Sequence, residues 1–308
     1  MAIVVGDAGL DLSVRVSHRP AADEKVLTHT DLMTAGGVAA NTAAALARLG
    51  TSVGLAAAVG SDSFGQRVAT ALDQAGVDLR YFRQLPTERT YYSVSLVDDS
   101  GEKGLVVVAV GRMYPPRDSQ PAALPEGVSW LHTVPYDADA AAAWITLARR
   151  QGVPWSLDLE PAAISEGWTP ALRSCLDGAT VVFVNWRGLN LIAADELSAA
   201  RALHGLGVET VLATRGADGL CLWPVDGDPI AARPPRVEVV DTTGAGDTAA
   251  AAFIHYRLAG ANPGEATTRA CIAGALACRE LGAQASLPSP EEIEQIYQQL
   301  LSGSRGEP

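Results

Sequence analysis

Val239-Val240-Asp241-Thr242-Thr243-Gly244-Ala245-Gly246-Asp247 holds the densest chemistry in the chain, and Thr248 to Ile254 continue it as an alanine-rich run. A short β-branched stretch ends in a glycine-bracketed turn, and the turn opens into a predicted helix. Gly244 and Gly246 leave the peptide N–H groups of residues 244–246 uncovered by side chains. At a helix start those donors and the macrodipole together favour an anion. Asp247 adds a negative charge in the same place, which would repel a bound phosphate. The carboxylate has a purpose there if it takes a proton from a hydroxyl attacking that phosphate. The plainer reading is a capped helix start, with Asp247 complementing the dipole.

A second group lies far upstream. Gly36-Gly37 precedes a predicted helix, Val38–Leu49, that Gly50 ends, and Asn41 falls in its first turn. Taken alone, the glycine pair is a tight strand-to-helix turn. With Asn41 and Asp11 it also offers an amide, a carboxylate and bare backbone, the donors and acceptors that a polyol needs without bulk.

The two groups, in this order and over nearly the whole chain, resemble the ribokinase-like (PfkB-type) carbohydrate kinases. The resemblance implies ATP-dependent phosphorylation of a hydroxyl on a sugar or sugar-like substrate. Asp247 would be the general base, Gly244, Ala245 and Gly246 would hold the transferring phosphoryl group, and Mg²⁺ would bridge ATP oxygens. It implies a sugar pocket lined by Asp11, Gly36, Gly37 and Asn41. Arg112, with Arg89, flanks a predicted hairpin and is the candidate cation for an acidic substrate. Thr214-Arg215-Gly216-Ala217-Asp218-Gly219 is turn chemistry between two predicted strands. It resembles the family segment beside the nucleotide, which assigns Thr214, Arg215, Gly216, Asp218 and Gly219 to ATP together with Asn185 and Cys271. Arg215 would neutralise phosphate or simply be solvated. The resemblance further implies a K⁺ held by backbone carbonyls at Asp241, Thr243, Ala277, Glu280, Gly282 and Ser286. It weakens at Asn185-Trp186-Arg187-Gly188, where the family carries Asn-x-x-Glu and this chain has Gly188. Asp158 and Glu160 are the substitutes at hand, Glu160 reading more simply as an incidental neighbour. Three alternatives stay open: a nucleoside kinase, whose base would stack on Tyr91, Tyr92 or Tyr114, a sugar-acid or sugar-phosphate kinase, and a non-catalytic ligand sensor.

The 308 residues, 48% hydrophobic and 19% charged, suit one large core with at most a small appendage. A net charge of −12 makes nucleic acid an unsuitable partner. The start Met1-Ala2-Ile3-Val4-Val5 lacks a basic leader and no apolar run reaches spanning length, so a cytoplasmic protein is expected. Cys175, Cys221, Cys271 and Cys278 show no CxxC spacing, and the five histidines no zinc pattern.

To position these groups the sequence offers strands near Ala2–Val5, Val53–Val59, Trp130–Thr133, Pro154–Asp158, Val181–Asn185, Thr210–Thr214 and Gly219–Trp223. Helices alternate with them near Asp137–Gln151 and Asp195–Leu206, and Ser63 is the predicted cap of another. The pattern predicts an α/β fold: a doubly wound, mostly parallel sheet with a small β-sheet lid. Residues 1–11, 34–88 and 112–308 would form the main domain. The lid would be 12–33 and 89–111, with strands at Leu12–Val16, Val26–Asp31, Thr90–Val97 and Gly104–Val110. The last of these is apolar on both faces, so a homodimer through the lid is expected.

Overall fold

The computed structural model describes residues 1–29, 31–98, 103–165 and 167–303. Among them the chain runs β1 (Ala2–Val5), β2 (Gly9–Arg15), β3 (Asp31–Gly36), α1 (Val38–Arg48), β4 (Val53–Ala56), β5 (Ala58–Gly60), α2 (Ser63–Gln74), β6 (Arg83–Leu85), β7 (Tyr92–Val97) and β8 (Lys103–Val108). It continues through β9 (Trp130–Thr133), α3 (Ala138–Arg150), β10 (Trp155–Asp158), α4 (Pro161–Ile164), α5 (Pro170–Leu176), β11 (Val181–Asn185), α6 (Trp186–Ile192) and α7 (Glu196–His204). The remaining elements are β12 (Thr210–Thr214), β13 (Leu220–Pro224), β14 (Ile230–Ala232), α8 (Ala245–Leu258), α9 (Pro263–Leu276) and α10 (Pro290–Gly303).

The large sheet has the order β14-β13-β12-β11-β10-β9-β1-β4, parallel from β12 to β4, with β13 and β14 antiparallel at one edge. Its parallel strands read as continuous apolar runs because both faces are covered. In β1 the alternation divides cleanly. Ala2 and Val4 join the core with α1, α8 and α9, while Ile3 and Val5 join the core with α3, α5 and α7. From β1 the chain moves outward to β4, then returns to β9 and proceeds the other way through β10, β11 and β12. This reversal between β1 and β9 leaves a crevice at the carboxyl ends of the strands, where ligands bind in open α/β sheets.

The second sheet has the order β3-β2-β7-β8. Its pairing places Asp11 beside Thr34 on one side and Ser93 on the other, so all three share a face. Leu105, Val106 and Val107 in the edge strand β8 are 57%, 63% and 51% exposed. The boundaries differ from expectation. The second lid strand is Asp31–Gly36 rather than Val26–Asp31, because it pairs with β2 through Gly9 and Gly36 and leaves the polar stretch before it outside the sheet. Gly9 to Asp11 and Thr34 to Gly36, assigned above to the main domain, therefore belong to the lid sheet. The expected turn at 99–102 lies outside the described residues.

Helix starts follow their capping chemistry. Asn262 and Glu265 form a capping box on α9, and Ser289 and Glu292 exchange the same pair of bonds at α10. At α2 the cap is Asp62 rather than Ser63, because Asp62 also accepts from the Thr90 amide and hydroxyl at 2.9 and 2.6 Å. Asp62→Ala is therefore expected to destabilise the protein by about 1–3 kcal/mol, measured by chemical denaturation. A loss below about 0.5 kcal/mol would show that this joint is not structural.

Candidate active site

The site begins where β1 ends. Asp7 is 3% exposed, and its carboxylate accepts from the Val38 and Ala39 amides at 3.1 and 3.0 Å. It thus caps α1 from across the chain and closes that helix start to other anions. The Tyr91 hydroxyl donates to the same carboxylate at 2.6 Å. Gly37 makes the turn with φ 101°, and a β-carbon there would come within 2.5 Å of the Tyr91 oxygen. One turn into α1, Asn41 is 5% exposed and donates through Nδ2 to Asp247 Oδ2 at 2.7 Å.

Asp247 comes from the other group. Gly244 caps α8 at φ 77°, and a β-carbon there would lie 2.7 Å from the Ala283 carbonyl oxygen, so only glycine fits. Ala245, Gly246 and Asp247 form the first turn, and Gly246 faces open space. The two motifs, about two hundred residues apart in sequence, therefore meet through a single hydrogen bond.

Around that bond the electrostatics are one-sided. Asp247 is half-buried, and loss of solvent around its carboxyl pushes its pKa up to about 8; the Asn41 bond partly offsets this, while Glu160, Asp7 and Asp11 add to the rise. Asp158, 7% exposed, is raised by burial and then by Glu160, Asp247 and Asp7. Glu160 is raised by burial and Asp7, against the bond it accepts from Asn185 Nδ2 at 3.2 Å. Asp11 accepts from Ser93 Oγ at 2.6 Å, and its carboxylate lies so close over Gly36 that any β-carbon there would overlap it. These acids occupy the crevice at the strand ends.

The structure brings together Asp11, Gly36, Gly37, Asn41, Gly244, Ala245, Gly246 and Asp247. Arg112 lines a cleft of about 490 Å³ with Glu88, Tyr136 and Asp137. Tyr136 is raised by burial and then by Asp7, Glu160, Asp158 and Asp247, so the cleft's inner wall faces the acids. Arg89 lines a different cleft, with Asp62 and Tyr92.

Of the nucleotide candidates, Thr214 ends β12 and Gly216 faces open space at φ 59°. Asp218 and Gly219 complete the turn into β13, and a β-carbon on Gly219 would overlap the Ala232 carbonyl. Arg215 departs from the expectation that it neutralises phosphate. Its Nε and Nη2 donate to both Glu196 carboxylate oxygens at 2.8 and 2.7 Å, a bidentate pair that Trp223 Nε1 joins. Cys271 is 4% exposed, and its thiol donates to the Ala232 carbonyl, away from any open base site. Asn185 caps α6 by accepting the Gly188 amide and turns its own amide to Glu160. A β-carbon at Gly188 would lie 2.8 Å from Val184 Cγ2, so a larger side chain there requires Val184 to shift. Glu160, read from sequence as incidental, holds the negative charge beside Asn185 instead.

At the carbonyl set, the Asp241 carboxylate accepts from Thr243 at 3.0 and 2.7 Å and from the Gly282 amide at 3.0 Å, which binds the two segments together. The Ser286 hydroxyl lies 2.8 Å from the Ala277 carbonyl and 3.2 Å from that of Leu276 and donates to this pair. Glu280 closes the turn between them.

Sequence reasoning missed Asp7, Tyr136 and Gln284. Gly6-Asp7 directly after a buried strand was a usable signal for Asp7. Gln284 had none.

The fold and its site define an α/β phosphotransferase of ribokinase-like architecture, a parallel sheet carrying a small β lid. The chain belongs to the pfkB family of carbohydrate kinases, whose model matches residues 1–290. It is 30% identical to an ATP-dependent ribose-1-phosphate kinase of Halopiger xanaduensis over 94% of this chain and 95% of that protein. It is 29% identical to a ribokinase of Arabidopsis thaliana over 94% of this chain and 79% of that one. The structure of Arabidopsis ribokinase complexed with ribose and ATP superposes with a TM-score of 0.79 at 26% identity, covering 96% and 97% of the two chains. The enzyme thus transfers phosphoryl groups to a hydroxyl. Among the described residues, no helix is long and apolar enough to cross a membrane.

The raised Asp247 carboxyl has a consequence for stability. With a folded value near 8 against the ordinary value of 3.8, it removes stability as pH rises between those limits. Asp247→Asn is expected to raise the melting temperature, with a gain that grows from pH 5 to about pH 8 and then levels. A gain independent of pH would contradict the shift.

Proposed function

We propose that the enzyme transfers the terminal phosphoryl group of ATP to a hydroxyl of a sugar or small polyol, with Asp247 as the general base. The observation that carries this is the recessed Asp247 carboxyl, held by Asn41 at the open start of α8. Asp11, itself bonded to Ser93, accepts from substrate hydroxyls. Asn41 and the bare backbone at Gly36 and Gly37 complete the pocket. Because Asp7 already occupies the amides at the start of α1, the incoming phosphate is left to α8, whose 244–246 amides hold the phosphoryl oxygens. Asp247 takes the proton as the hydroxyl oxygen bonds to phosphorus and the terminal bond of ATP breaks to give ADP. Little basicity is needed, since the proton leaves late.

The Asp158–Glu160 pair fits Mg²⁺ by its donor set, carboxylate oxygens in a cavity where like charges raise one another. Glu160 and Asp158 would hold the ion through water, and it would supply charge neutralisation on the phosphates. The segments that Asp241 binds together offer carbonyl oxygens of the kind K⁺ takes, and we assign a structural K⁺ there. Thr214, Gly216 and Gly219 form the wall for the nucleotide, without Arg215.

A sugar is favoured over a nucleoside because Tyr91 and Tyr114 are 7% and 2% exposed, so neither offers a ring face to a base. A sugar phosphate is less well matched, because Arg112 shares its cleft with Glu88 and Asp137. Asp247→Asn should lower turnover by about 10²–10⁴-fold while changing ATP binding little. Wild-type kcat/KM should rise with pH, roughly tenfold per unit, up to about pH 8. Near-normal turnover in the variant would sink the assignment.

The exposed Leu105, Val106 and Val107 suit burial against the same lid of a second copy, an isologous pairing that would stiffen the small sheet. Val106→Lys should shift a dimer toward monomer in sedimentation velocity and raise substrate KM. A wild-type monomer at micromolar concentration would exclude the clasp.

A further inference from the structure

Gln284 lies on the loop between α9 and α10, and no step above calls on it. Its side-chain nitrogen donates to the Ala35 carbonyl at 3.0 Å and to Asn41 Oδ1 at 2.9 Å. A primary amide nitrogen has two hydrogens, so these bonds use both. The Ala35 carbonyl can only accept, which requires the nitrogen of Gln284 at this corner rather than its oxygen. The Asn41 atom facing that nitrogen must in turn be an acceptor. Asn41 Nδ2 is therefore left pointing at Asp247, where it donates to Oδ2 at 2.7 Å. The direction of three consecutive hydrogen bonds follows from one main-chain carbonyl in β3.

We propose that Gln284 is a positioning residue for phosphoryl transfer: it fixes the Asn41 amide with its N–H groups toward Asp247, leaving the second carboxylate oxygen for the substrate hydroxyl. This rests on the reading of Asp247 as base. Without Gln284 the carboxylate alone holds the Asn41 amide, and whenever Asp247 is protonated the amide is free to turn over and accept from it. The titratable neighbours of Asp247 offer no substitute. Asp7 faces it from beyond β1, Asp11 from β2, Asp158 from the end of β10 and Glu160 from just after it, all acidic, and Tyr136 is held protonated. The same chain reaches the lid, because Ala35 belongs to β3 and adjoins Gly36, over which the Asp11 carboxylate lies. The orientation of the base and the placement of the lid strand therefore share one side chain.

The test is Gln284→Met, which keeps length and volume and removes both donors, assayed for sugar phosphorylation across pH. The expected result is a kcat loss of about tenfold or more with ATP KM little changed. The acid limb of kcat should also move up by about half a pH unit or more, as the carboxylate loses its donor. In an Asn41→Ala background the same substitution should cost nothing further, since it acts through Asn41. Gln284→Lys, which restores a donor, should recover most of kcat and leave the limb no higher than in wild type. If Gln284→Met melts below the assay temperature, Gln284→Lys is compared with Gln284→Glu, similar in reach but lacking donors when ionised, and only the lysine should be active. Wild-type kcat and limb in Gln284→Met, or losses that multiply in the Asn41→Ala background, would overturn the role. Failure of the parent reading is separate: it appears as an active Asp247→Asn, whereas an inactive Asp247→Asn beside a normal Gln284→Met removes Gln284 alone.

Discussion

Asp7, Asp158, Glu160 and Asp247 stand together at the ends of parallel strands, where burial and the charges of Asp7 and Glu160 raise the cost of ionising Asp158 and Asp247. Carboxylates gathered this way out of water are costly unless local dipoles or cations offset them. The fold supplies two helix starts. The amides of α1 close on Asp7, and α8 places Asp247 in its own first turn. The two helix starts have opposite duties: one is sealed by a carboxylate from the chain, and the other is left open with a carboxylate beside it.

The lid is bound into the same arrangement rather than merely set over it. Asp11 lies against Gly36 and takes the Ser93 hydroxyl, so three lid strands meet at one carboxylate. Tyr91, just before β7, reaches the Asp7 that caps α1. A glycine at 36 and another at 37 are what allow side chains from β2 and the start of β7 to come this close.

What the sequence made legible was local. The glycine-bracketed turn before α8, the Gly36-Gly37 turn before α1 and each strand or helix of the alternating pattern are written within a few consecutive residues. The candidate site was legible where a motif announced it. The structure makes additions where partners are distant. Asp7 caps a helix 31 residues away, and Gln284 reaches Asn41 across 243. Arg215 looked like a phosphate ligand because Glu196, which holds it, sits on the preceding helix with no sequence pattern joining them. Gly188 appeared to be a missing acid, whereas the acid that meets Asn185 is Glu160, on the other side of β11 in sequence. The strand β3 was placed too early because its register depends on Gly9, not on its own composition.

The order in which these parts occur along the chain bears on how the enzyme is born. The stretch from Asp11 to Asn41 leaves the ribosome early, together with β1, the strand on which β4 and β9 later pair. Asp247 and Gln284 arrive last. Until then β1 and α1 have no α8 to cover their apolar face, and the acids of the crevice have no second helix start beside them. A nascent chain is therefore chemically silent for most of its synthesis and depends longest on protection of the surface that α8 and α9 will bury.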